Sequence, residues 1–81
     1  MRTSSAYEAL YAAMVAAGRA GDLPGFKAAA EGVVLQLTQL EFVLSEQQAR
    51  QAMAALVRSE GECAELLGKW SVVAYRAAPA D

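Results

Sequence analysis

The stretch VVLQLTQLEFVL, residues 33–44, carries eight apolar residues in twelve and no basic one. Strict alternation, the mark of a half-buried strand, holds over Leu35-Gln36-Leu37-Thr38 and fails at Gln39-Leu40. A helical pattern runs much further. Leu23, Phe26, Ala30, Val33, Leu37, Leu40 and Leu44 recur at alternating spacings of 3 and 4, an a/d stripe. The spacing predicts one helix over 23–44, roughly 33 Å long at 1.5 Å per residue. Gly32 inside it marks close packing or a mild bend.

Capping signals extend the pattern in both directions. Towards the N-terminus, Ser5 and Glu8 have capping-box spacing, and Tyr7, Leu10, Met14 and Ala17 share one helical face, predicting a helix over 5–20. GRAGD ends it, with Gly18 or Gly21 able to take a left-handed stop. Asp22 can then cap the next helix, with Pro24 in its first turn. Towards the C-terminus, Ser45 and Gln48 repeat the capping logic and open a third helix over 46–76. Its stripe is Ala49, Met53 (or Ala52), Leu56, Glu60, Cys63, Leu67, Trp70 and Ala74. Glu60 interrupts that stripe inside SEGE, so the helix either bends near Gly61 or divides into two. Glu46–Arg50, Arg58–Glu62 and Glu65–Lys69 stand at i,i+4. RAAPAD reads as a frayed tail.

The fold expectation is therefore all-α: a single domain over 1–81, an antiparallel three-helix bundle made of a helical hairpin and a shorter N-terminal helix. A third helix exceeding roughly 40 Å would overhang its neighbours, leaving Trp70, Val73 and Tyr75 in want of a partner. Dimerisation is one way to complete such a bundle.

Composition narrows the function. The chain is 81 residues long, 56% apolar, with nineteen Ala and no Ile, a bias towards helices packed at short range. A domain this small has a thin core and gains from association. Net charge is −2 and no basic tract exists, which argues against nucleic-acid binding. No apolar run reaches the ~20 residues of a membrane span, and Glu8 ahead of a short Ala-rich run argues against a signal peptide. The lone Cys63 fits a reducing cytosol.

Chemistry finds little to work with. The chain has no His, which removes the usual general base and most zinc sites. Cys63 on an apolar stripe reads as a small hydrophobe. Glu60, Glu62 and Glu65 read as a solvated acidic face, and Tyr7 with Tyr11 as the edge of the core. Glu60 either sets register on the stripe or reaches solvent at a kink. No catalytic residue, cofactor or metal site is expected, and the chain is not expected to be an enzyme. What stands out is surplus apolar surface. Leu35 and Phe42, one heptad apart, point away from the main stripe, with Glu31, Thr38 and Gln39 around them. Either the flanking helices cover them, or they form a groove or a homodimer seam.

AGRAGDLPGFKAAAE (17–31) followed by LTQLEFVLSEQQARQAMAALVRSEGECAELLGKW (37–70) resembles the flagellar type III export chaperones of the FliT kind. Those proteins likewise place a helix, a Gly-Asp break, a second helix with Glu and Leu pairs, and a long third helix. The likeness runs from Met14 to Trp70, with Leu23 where the family commonly has Trp. It implies a small bacterial cytosolic chaperone or adaptor that holds an aggregation-prone filament-cap subunit for export, laying an amphipathic helix of the client into an apolar groove. The candidate partner-binding residues are then Leu35, Phe42, Leu66, Trp70 and Val73, with Lys69 and Arg76 meeting acidic client residues at the rim. Two other functions stay open: a phage- or plasmid-type inhibitor that blocks a protein target, and a structural homodimeric bundle. Self-association is expected; nucleic-acid and membrane partners are not.

Overall fold

The first helix, α1, is Ser5–Ala20, as its spacing predicts. Residues 5–77 are described by a computed structural model. Gly21 takes the left-handed conformation at φ 76°. Its N–H donates to Gly18 O at 3.3 Å, and the Asp22 N–H donates to Ala17 O at 2.9 Å. This Schellman pattern satisfies carbonyls that an ending helix leaves over. Asp22 then caps α2, Leu23–Thr38, accepting the Gly25 N–H on Oδ1 at 3.1 Å. Pro24 sits in the first turn, where its missing N–H costs nothing.

Close approach of neighbouring elements to α1 explains two glycines. A Cβ added to Gly32 would lie 2.9 Å from Leu10 Cδ2, so this residue marks close packing. A Cβ at the buried Gly18 would strike Leu56 and come within 3.0 Å of Phe26 Cδ1.

The second helix is shorter than its stripe implies. α2 ends at Thr38 and not at Leu44. Gln39 turns left-handed, at φ 64° and ψ 15°, and its N–H donates to Leu35 O at 2.7 Å. Thr38 Oγ1 donates to Val34 O at 2.9 Å and accepts the Leu40 N–H at 3.1 Å. No Gly or Pro enforces this stop, and left-handed backbone costs a residue with a Cβ roughly 1–2 kcal/mol. Burial of Leu44, fully enclosed at the end of the returning segment 39–45, offsets that cost by about 1.5–3 kcal/mol. Phe26, Ala30 and Val33 of the expected stripe are buried, whereas Leu37 is 51% exposed and Leu40 half-buried.

The third expected helix is two. Ser45 opens α3, Glu46–Arg58, with a complete capping box: its Oγ accepts the Gln48 N–H at 3.0 Å and its own N–H donates to Gln48 Oε1 at 3.0 Å. Ser59 alone separates α3 from α4, Glu60–Ala77. Its backbone is extended; its N–H donates to Ala55 O at 2.8 Å, closing α3. Its carbonyl accepts the Cys63 N–H at 3.3 Å and its Oγ accepts the Gly61 N–H at 3.0 Å, opening α4. The break falls at Ser59, not as a bend at Gly61.

The three-helix bundle is thus corrected to an all-α arrangement of four helices, with no strand among the described residues. α1 pairs with α2 and α3 with α4, and α2 packs against all three others. The core joins Met14, Phe26, Val33, Val34, Leu56, Cys63 and Leu67 to Leu44 and to the buried alanines 29, 30, 49, 52 and 55. Among the described residues the long overhang is absent: α4 has 18 residues, about 27 Å, and Trp70 packs against the core while Val73 and Tyr75 remain exposed. Glu60 leaves the core stripe altogether. It is exposed in the first turn of α4, where its Oε2 accepts from Arg19 at 2.6 Å. Arg76 and Ala77, expected to begin a frayed tail, are the last residues of α4; the rest of that tail, 78–81, lies outside the described residues.

Candidate functional site

The returning segment 39–45 acts as a strap laid back along α2. Its far end is fixed by Glu31, whose Oε2 accepts the Leu44 N–H at 2.8 Å and pairs with Lys27 Nζ at 2.7 Å. A carboxylate accepting a backbone N–H makes one of the stronger hydrogen bonds available to a protein, worth about 1.5–3 kcal/mol. Lys27 lies one turn before Glu31 and reaches it along the helix surface.

Between strap and helix lies a shallow concavity of about 230 Å³, lined by Glu31, Gly32 and Leu35 of α2 and by Glu41, Phe42 and Val43 of the strap. Phe42 is half-buried against the core, whereas Leu35 is 40% and Val43 75% exposed. Leu35 and Phe42 therefore line the same concavity. They do so because the chain doubles back, and not through the heptad spacing that singled them out. The exposed Glu41 gives this groove an acidic rim.

The remaining candidates lie elsewhere. Leu66 and Lys69 line a second groove of about 440 Å³ between α3 and α4, with Gln51, Ala55, Arg58, Glu62 and Glu65. Arg58 Nε donates to Glu62 Oε1 at 2.7 Å, spanning the Ser59 break, and Arg50 pairs with Glu46 at 2.6 Å. Among the described residues no ion pair joins Glu65 to Lys69. Trp70 packs on the core, and Val73 and Arg76 lie exposed on α4, lining neither groove. The expected basic rim of Lys69 and Arg76 is thus not beside Leu35 and Phe42.

Burial pushes the Cys63 thiol up, and the Glu60 charge adds to the effect, leaving the thiol less ready to ionise. Tyr11 is likewise raised, by burial first and then by Glu60, Cys63 and Tyr7. Tyr7 and Tyr11 stack with centroids 6.2 Å apart and pack at the edge of the core. Among the described residues, no three His, Cys, Asp or Glu side chains gather as a metal site. No helix among them is long and apolar enough to cross a membrane.

Glu41 and Val43 are lining residues that the sequence did not single out, and Gly32 stood out there only for its packing. Val43 had a signal in retrospect: it lies next to Phe42 in a segment without a single basic residue. No protein-family model, curated protein or solved structure matches this chain.

Proposed function

We propose that this chain is a non-enzymatic protein-binding module that holds an amphipathic helix of a partner in the groove between α2 and the strap. The observation that carries this reading is the concavity itself, where exposed Leu35 and Val43 flank the ring of Phe42. Covering a large apolar side chain is worth about 1.5–3 kcal/mol, and helix-in-groove recognition uses such anchors at i, i+3 and i+4 spacing. Glu41 at the rim favours a partner helix with a basic residue beside its apolar face. In its most specific form the module is a cytosolic secretion-type chaperone, as the likeness to the flagellar export chaperones implies, and the helix belongs to an aggregation-prone export substrate. An inhibitor that blocks a protein target would use the same surface.

Titration of amphipathic helical peptides with basic and with acidic flanks into isotope-labelled protein tests the reading. Amide shifts are expected to concentrate at Glu31, Gly32, Leu35 and residues 41–43, and to favour the basic peptides. Val43→Asp should abolish them with helicity intact, since Val43 is 75% exposed. Phe42→Asp should also remove capture. A loss of folding in Phe42→Asp would assign that ring to the core. Shifts confined to the α3–α4 groove, or absent for every peptide, would refute the site.

A further inference from the structure

The stop after Thr38 has an unusual basis. The a/d spacing continues through Leu37, Leu40 and Leu44 as though the helix did not end. No Gly or Pro interrupts it, and the break rests on a left-handed Gln39, the only non-Gly residue with positive φ among those described. The strap therefore has a second conformation written into its sequence: a straight continuation of α2.

Straightening 39–44 would carry the α3–α4 pair away from α1 and α2. Everything that pair covers would be uncovered, including the faces where Leu56 meets Gly18 and where Glu60 meets Arg19. A second copy of the chain, opened in the same way, presents the matching surfaces. We propose that residues 39–44 are the hinge of a domain-swapped dimer, in which two copies exchange their α3–α4 pairs while the hinge becomes helix.

Three features carry this beyond a general tendency to associate. The exchanged interface is the one the monomer already makes, so its contacts, including the Arg19–Glu60 pair, are kept without invention. The αL penalty at Gln39 is relieved in both copies. Leu35 and Leu37, 40% and 51% exposed on the last turn of α2, sit next to the hinge and gain cover where two straightened segments meet. Opposing the exchange are the Glu31–Leu44 bond and the enclosure of Leu44, which hold the closed form. The proposal goes beyond partner binding and excludes it within one molecule, because straightening the strap withdraws Glu41, Phe42 and Val43 from the groove.

The test uses the whole chain, refolded at micromolar and at millimolar concentration, with molar mass measured by light scattering. A concentration-dependent dimer is expected. Gln39→Gly makes the left-handed turn cheap and the helical hinge poor, so it should weaken dimerisation roughly tenfold per hinge. Gln39→Val, β-branched and ill suited to the left-handed region, should strengthen it. In a dimer refolded from mixed labelled and unlabelled chains, isotope-filtered spectra should show the Gly18–Leu56 contact between chains. A monomer for all three proteins would overturn the proposal. So would a dimer whose Gly18–Leu56 contact stays within one chain, or one indifferent to both Gln39 substitutions. None of these readouts involves a peptide, so they stand or fall apart from the groove.

Discussion

The Glu31 carboxylate accepts the Leu44 backbone N–H at 2.8 Å across thirteen residues of sequence, and this bond pins the strap to α2. Glu31→Ala is expected to lower stability by about 1.5–3 kcal/mol and to speed hydrogen exchange at the Leu44 amide more than at amides of α3. Glu31→Gln, still an acceptor but uncharged, should recover part of the loss. Urea unfolding and native-state exchange measure both effects. An unchanged exchange rate at Leu44 would show that the bond does not hold the strap.

Leu37 and Leu44 belong to one stripe in the sequence and to opposite environments in the fold, one 51% exposed and the other fully buried. Leu44→Ala should cost about 2–5 kcal/mol as a core truncation. Leu37→Ala should cost well under half as much in the monomer. Equal shifts in the unfolding midpoint would restore the continuous helix over 23–44 and remove the strap.

Two glycines separate packing from propensity. At Gly18 an added Cβ meets Leu56 and Phe26, while at Gly68 in α4 nothing lies within 4 Å. Gly68→Ala should stabilise the chain by up to about 1 kcal/mol through helix propensity. Gly18→Ala gains the same propensity and should still destabilise by about 1–3 kcal/mol, because the neighbours must shift. Thermal melts of the two variants should move in opposite directions.

Alkali should weaken the fold. Cys63 and Tyr11 both hold their protons more tightly in the folded chain, chiefly through burial, complete for Cys63 and partial for Tyr11. The unfolded chain therefore ionises first, and stability falls as pH climbs from the ordinary thiol value of 9.0 towards the raised folded one. Below that value the contribution is complete and the profile should be flat from this source. Cys63→Ala should remove the earlier part of the decline and leave the part due to Tyr11. Unfolding free energies measured across the alkaline range, with and without the thiol, check the sign.

Much of this architecture is legible in the residues themselves. The Gly21–Asp22 turn and the Ser45 capping box are encoded locally, by residues that satisfy backbone groups within a few positions of themselves. The Ser59 break was half legible. Ser59 and Glu62 repeat the spacing of Ser5–Glu8 and Ser45–Gln48, but the Arg58–Glu62 pair has the same i,i+4 spacing whether the helix continues or turns. The stop at Thr38 was not legible. Its causes are the burial of Leu44 and a carboxylate thirteen residues away, and periodicity carries no information about either. The groove shows the same division. Leu35 and Phe42 stand out as surplus apolar residues, whereas Val43, Glu41 and the separation of Lys69 and Arg76 from them follow from the reversal of the chain.

The buried alanines at positions 29, 30, 49, 52 and 55 bring the helices together across methyl groups. At these five positions there is almost nothing to trim. Most replacements of a buried alanine enlarge it, so tolerance there is governed by crowding, whereas at Phe26, Leu44 and Leu67 it is governed by the cavity that truncation leaves. The chain's evolutionary freedom accordingly lies on the outside, along the strap and the exposed face of α4, where a changed side chain meets water before it meets a neighbour.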